Sequence, residues 1–144
     1  MGEMRQSIRV TVGDEPIEGG RLLAEIGRPD SGASVLFLGT VRDHSGGKSG
    51  ITHLEYEVFS ERVGPEIEEI VAEAAAKWPI LSVVVEHRSG RVELGEASVA
   101  VAVACAHRSD AFEAARFIID TLKRRAPIWK KEFWPGGADW SQGS

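Results

Sequence analysis

Cysteine is nearly absent from this chain of 144 residues: Cys105 is the single one. That excludes an internal disulfide and a cysteine-rich metal site. No apolar run reaches the roughly 18 residues that a membrane-crossing helix needs, so no membrane partner is expected. The first seven residues hold no apolar stretch of the kind a secretory signal carries, and a reducing cytoplasm is the expected compartment. Basic residues are outnumbered, with 17 Lys and Arg against 22 Asp and Glu and a net charge of −5. This balance argues against a uniformly basic nucleic-acid binder. Internal repeats are lacking too, and the length suits one domain over 1–144 with one buried core.

The cations that are present are concentrated. Between His107 and Lys131 stand Arg108, Arg116, Lys123, Arg124, Arg125, Lys130 and Lys131, opposed by Asp110, Glu113 and Asp120. An acidic chain with one local excess of positive charge points to a compact anion site. The alternative is a solvated helix end whose cations complement the helix dipole.

Periodicity places the elements. Ile8–Val12 alternates as a strand, and Pro16–Gly27 reads as a short helix weakened by Gly19 and Gly20. Ala33–Val41 is a continuous apolar run, the mark of a buried strand. Asp43–Gly50 is rich in glycine and polar residues and is expected to be an exposed, mobile loop. In Thr52–Phe59, Leu54, Tyr56 and Val58 share one strand face. From Val63 to Trp78 the period becomes helical, with Ile67, Ile70, Val71 and Ala74 on the apolar side and Pro79 as the stop. Leu81–His87 is a strand, Gly90 and Gly95 bracket a short connection, and Ala97–Ala106 is apolar on both faces, as a central strand is. Ser109 is the expected N-cap of a last helix that ends near Arg125. Its apolar side holds Ala111, Phe112, Ala115, Ile118, Ile119 and Leu122. The segment Ile128–Trp140 is too aromatic for a loose tail and should pack on this chain or on a partner. The order predicts an α+β domain in two layers with a mixed, largely antiparallel sheet.

Several local patterns invite chemistry. Gly47-Lys48-Ser49 lacks the glycine five positions earlier that a P-loop needs, since Arg42 stands there. His44, His53, His87 and His107 show no zinc spacing, so no metal is expected. Cys105 lies between alanines on a strand whose other residues are valines, which favours a buried structural thiol. His107-Arg108-Ser109 falls where a buried strand hands over to a helix, where N–H groups and the Arg108 fork suit a phosphate or carboxylate. Pairing of Arg108 with Glu113 is the competing reading. Arg42 closes another buried strand beside a flexible loop. Lys123, crowded by Arg124, Arg125 and Lys130, is either an amine of lowered pKa or an ordinary helix-end lysine.

Longer stretches resemble the large, catalytic subunit of molybdopterin synthase, the MoaE family. They are Gly39-Thr40-Val41-Arg42-Asp43-His44, Lys77-Trp78-Pro79 and His87-Arg88-Ser89-Gly90. The most specific are Ala106–Ala114, with His107-Arg108-Ser109-Asp110 inside it, and Leu122–Glu132, with Lys123-Arg124-Arg125-Ala126-Pro127. The likeness runs from about Ala33 to Trp140, with the motifs in family order and spacing.

The resemblance implies an α/β hammerhead with an added β-rich portion. The implied activity is sulfur transfer: cyclic pyranopterin monophosphate (precursor Z) gains two sulfurs as a dithiolene. The implied partner is a small ubiquitin-like sulfur carrier, MoaD-like, whose C-terminal Gly-Gly carries a thiocarboxylate. Two large subunits form a homodimer inside a heterotetramer, and no cofactor is implied. By position, Arg42, His107 and Arg108 match the pocket for the pterin and its phosphate. Lys123 matches the essential lysine and Lys130 the second one, with Lys131 and Glu132 lining the same site. Thr40 and Val41 lie at substrate-contact positions, Thr40 where some members have lysine. Trp129, Phe133 and Trp134 either wall a groove for the partner's tail or serve plain core or dimer packing.

Two other classes compete. A small module binding single-stranded nucleic acid through Lys123–Trp134 fits the interleaved basic and aromatic residues, but net acidity opposes it. A non-catalytic subunit with a phosphate site would bind the pterin without transferring sulfur. Neither explains the ordered motifs.

Overall fold

The computed structural model describes residues 5–45 and 47–143. The expected loop over Asp43–Gly50 therefore includes one residue, Gly46, outside the described residues. In chain order the elements are β1 (Ser7–Gly13), α1 (Gly19–Ile26), β2 (Ala33–Thr40), β3 (His44–Ser45), β4 (Lys48–Ser49), β5 (His53–Val58), α2 (Ser60–Lys77), β6 (Ile80–Arg88), β7 (Gly90–Glu93), β8 (Ala97–Cys105), α3 (Arg108–Arg125), β9 (Ile128–Trp134) and β10 (Gly137–Gln142).

β1, β6, β8 and β2 form one sheet in that order, with β1 parallel to β6 and the other ladders antiparallel. β8 is central and buried along its whole length. Its two apolar faces are each covered. Val99, Val101, Val103 and Cys105 join Ile67, Ile70 and Val71 of α2 and Ile118 and Leu122 of α3 in the main core. Ala100, Ala102 and Ala104 meet Leu22 and Ile26 of α1 in a second, smaller one. The class is the expected α+β, and α1 adds a layer on the far side of the sheet. Small alanines on that face let a two-turn helix approach, and Gly19 serves the same end. A Cβ there would stand 2.8 Å from Leu36 Cδ2. The glycine that weakens the helix locally is what lets it close on β2.

The added β portion is a second, antiparallel sheet in the order β10-β9-β5-β7. The bracketed connection between Gly90 and Gly95 turns out to hold strand β7, with both glycines at positive φ, 75° and 84°. The aromatic tail is the β9–β10 hairpin. Its inner residues, with Leu54, Tyr56, Val92 and Ile128, continue the main core. The Asp43–Gly50 segment is a separate two-stranded ladder, β3–β4, where a loop was expected.

The N-cap of helix α3 falls two residues earlier than the sequence suggests. Its N-cap is His107, and no side chain caps it. Ser109 is already inside the first turn, because β8 runs to Cys105 and leaves only two residues for the change of direction. Phe112 also departs from its expected place: it is 62% exposed.

Candidate functional site

The site is built where the two sheets meet. Val41, just past β2, exchanges backbone hydrogen bonds with the turn before β8: its N–H donates to Glu96 O at 3.0 Å, and Gly95 N–H donates to Val41 O at 2.8 Å. This anchors the strand end from which Arg42 projects. The second sheet brings Tyr56 of β5 directly opposite Lys130 of β9. Strand alternation then puts Glu132 on the same face as Lys130. Lys123 arrives from the last turn of α3. That turn is held by Arg125, whose guanidinium reaches Glu66 at 2.9 Å, Glu69 at 3.8 Å and Glu73 at 2.6 Å on α2. Arg125 is thus drawn to α2 by three carboxylates, which is where a residue expected to crowd Lys123 has gone.

Together these residues line a cavity of about 290 Å3, bounded by Thr40, Val41, Arg42, His44, Ser45, Ile51, Leu54, Tyr56, Lys123, Lys130 and Glu132. Arg42, Lys123 and Lys130 face it with no ion pair among the described residues. Arg42 and Lys123 are exposed and Lys130 is half-buried, and unpaired cations gathered around one concavity favour a ligand of opposite sign.

Tyr56 lines the cavity and His87 packs behind it, and neither was singled out as a site residue from the sequence. Tyr56 is 5% exposed, and burial raises its phenol above the ordinary range. His87 packs its ring edge-on against Tyr56, 5.1 Å between centroids, and its Nδ1–H donates to Arg88 O at 2.7 Å. Burial, with a smaller push from the Lys123 charge, lowers its pKa to about 4, so His87 is neutral at pH 7. The signal that could have found them is the alternation of β5, which already turned Tyr56 inward. His87 was marked only as part of the His87-Arg88-Ser89-Gly90 stretch, and its place in an apolar strand gave no sign of the ring it packs against.

Other expected site residues lie elsewhere in the chain. His107 and Arg108 open α3 and are exposed, whereas Lys123 is in its last turn. At ~1.5 Å per residue the helix separates them by about 22 Å. The competing partner for Arg108 is engaged elsewhere, since Glu113 accepts from Trp78 Nε1 at 2.9 Å. Lys131 points to the opposite face of β9 from Lys130, with its Nζ 5.2 Å from the ring of Phe133 and 5.5 Å from that of Trp140. The same alternation divides the aromatics: Trp134 goes with Lys130 and Glu132, and Trp129 and Phe133 go with Lys131. A single groove walled by all three is therefore not present on one face of this chain. Cys105 is fully buried, and burial pushes its thiol up, as a structural cysteine requires.

A larger concavity, of about 460 Å3, lies among β1, α1 and β6. Its two arginines are engaged by its carboxylates: Arg9 binds Glu25 at 2.6 Å and Glu86 at 2.7 Å, and Arg21 lies 4.0 Å from Glu86. The smaller cavity, with its unpaired cations, is the better site.

The family model described as MoaE protein matches residues 12–125. A molybdopterin synthase catalytic subunit from Thermoplasma volcanium is 47% identical over 116 residues, covering 81% of this chain and 84% of that relative. Molybdopterin synthase catalytic subunit 1 of Mycobacterium tuberculosis is 39% identical, covering 88% and 86%. Among solved structures, molybdopterin synthase from Staphylococcus aureus superposes with a TM-score of 0.83 at 32% identity, over 90% of this chain and 94% of that one. Taken with these relatives, the α+β fold defines an enzyme subunit of the molybdopterin synthase class. The chain belongs to the MoaE family of molybdopterin synthase catalytic subunits, enzymes of molybdenum-cofactor biosynthesis. No helix among the described residues is long and apolar enough to cross a membrane.

Proposed function

We propose that this chain transfers two sulfurs to cyclic pyranopterin monophosphate, forming the dithiolene of molybdopterin. The sulfur comes from the thiocarboxylated Gly-Gly end of a small ubiquitin-like subunit. The observation that carries this reading is the convergence of Arg42, Lys123 and Lys130, all without ion pairs among the described residues, on one cavity. Its volume of about 290 Å3 is at the small end for a ligand site and suits a compact phosphorylated pterin. A partner-borne sulfur also fits Cys105, which is too buried to act as a carrier.

In this reading Arg42 and Lys130 hold the anionic substrate, with Thr40 and Val41 at its edge. Lys123, beside Lys130, orients the incoming thiocarboxylate and stabilises charge as the carbon–sulfur bond forms. Glu132 lines the same wall. His107 and Arg108 cannot reach the cavity of their own protomer across the length of α3. They complete the cavity of a second copy, which makes the homodimer part of the site rather than a packing accident. Arg108 and Phe112 are four residues apart and share an exposed helix face suited to that contact. Lys131, on the outer face, serves the assembly from outside the cavity of its own protomer. The 144 residues act as one unit, with two small subunits completing a heterotetramer in the cytoplasm. No cofactor enters this scheme.

The test is a single-turnover assay with precursor Z and the thiocarboxylated small subunit, read as molybdopterin. Formation of the dithiolene supports the proposal. Pterin binding without sulfur transfer would favour a non-catalytic subunit instead.

A further inference from the structure

Glu132 poses an electrostatic problem. Its side chain is 6% exposed, it lines the cavity, and it lies two residues beyond Lys130 on the same strand face. A carboxylate so placed is positioned to pair with Lys130 or Lys123 and cancel their pull on an anionic ligand. Its Oε1 is instead 3.4 Å from the ammonium of Lys48. Lys48 belongs to β4, in the motif Gly47-Lys48-Ser49 that no P-loop explains. It approaches from the β3–β4 hairpin, which forms its own two-stranded sheet.

The same ammonium is 3.1 Å from Asp139 of β10 and 5.0 Å from the centroid of the Trp134 ring. Asp139 first, then Glu132, raise the Lys48 pKa, so its charge persists. One side chain therefore ties the hairpin bearing His44 and Ser45, two cavity-wall residues, to the β9–β10 pair.

We infer that Lys48 is a positioning residue for the reaction: it engages Glu132 from outside the cavity and so leaves Arg42, Lys123 and Lys130 free for the anionic substrate. The inference deepens the proposed function and rests on its reading of the cavity as an anion site. The pairing acts through charge rather than through contact with the reacting atoms. It belongs to the ground-state capture of substrate, so it governs KM more than kcat.

The test uses the full chain assembled with its thiocarboxylated partner. Lys48→Met keeps the side chain's length and removes its charge. It is expected to raise KM for cyclic pyranopterin monophosphate about tenfold while kcat stays within about threefold. Lys48→Arg is expected to restore KM. The decisive comparison is a double-mutant cycle. In the E132Q background, adding K48M should change KM less than about twofold, since no carboxylate remains to be neutralised. Asp139→Asn, which loosens the hairpin without touching Glu132, should change KM less than about twofold.

An equal K48M effect in both backgrounds would overturn the inference, as would D139N matching K48M or an unchanged KM in K48M. Thermal melting of each variant separates these outcomes from misfolding. Titration of the chain with inorganic phosphate supplies an independent arm. A K48M defect there, abolished by E132Q, supports the inference even if the wild-type assembly fails to convert the pterin, which would count against the proposed function alone. Equal phosphate affinity in wild type and K48M would overturn it.

Discussion

Arg108 and Lys123 occupy the first and last turns of the same helix, α3, and of the two only Lys123 lines the cavity. A rigid α-helix of this length holds its ends about 22 Å apart. Two halves of one expected pocket are thus separated by the length of a helix, and the proposed function reunites them through a second copy. Mixing two inactive variants checks this. An Arg108→Ala chain and a Lys123→Ala chain, co-refolded in equal amounts, should recover about a quarter of wild-type activity, because half the dimers are mixed and each holds one intact pocket. A pocket built within one protomer would recover none.

Lys123 and Lys130 present unpaired ammonium groups to the cavity. Replacing Lys123 with alanine should lower single-turnover dithiolene formation by at least about a hundredfold, the scale for losing a group that stabilises developing charge. Lys130→Ala should chiefly raise KM for the pterin. Both variants should melt within a few degrees of wild type, since neither residue is buried in the core. Near-normal turnover in Lys123→Ala would remove that residue from the mechanism.

His87 makes stability depend on pH in a defined direction. The folded state holds it at a pKa of about 4, against an ordinary value of 6.5. As pH falls from 6.5 to 4 the unfolded chain accepts a proton that the folded chain refuses, so stability drops across that window and the loss is complete below it. The contribution is about 3 kcal/mol. Urea denaturation at pH 7 and pH 4 measures it, with His87→Phe as the reference. The variant should show a smaller decline by that amount, and parallel curves would mean that His87 does not stay neutral.

Ile118 and Phe112 are both apolar residues of α3 with opposite expectations. Ile118 is fully buried against the central sheet, and Ile118→Ala should cost about 2–5 kcal/mol in chemical denaturation. Phe112 is 62% exposed, and Phe112→Ala should change the protomer's stability by less than about 0.5 kcal/mol. It should still weaken the homodimer in sedimentation at low concentration. A Phe112→Ala chain that dimerises as wild type would place the contact elsewhere.

Much of the architecture was legible because local pattern and tertiary role agree. The two-faced apolarity of Ala97–Cys105 announced the central strand, and Val63, Ile67, Ile70 and Val71 announced the buried face of α2. Where reading stopped at the backbone's edge it lost strand β7, since four residues between two turning glycines show no period of their own. The β9–β10 hairpin was hidden differently. Its aromatics fall on both faces of the sheet, so hydrophobicity along the chain does not alternate there.

The candidate site divides in the same way. Residue identity and order along the chain determined the family, the anion-seeking cations and the buried thiol, because these depend on which side chains are present and how they are spaced. Which cations share a cavity was decided only by folding. A helix holds Arg108 far from Lys123, strand alternation turns Lys130 and Lys131 to opposite faces, and a hairpin more than 80 positions away in sequence brings Lys48 to Glu132. Charges act through distance in space, and that distance is fixed by the packing of whole elements, which no local stretch of residues encodes.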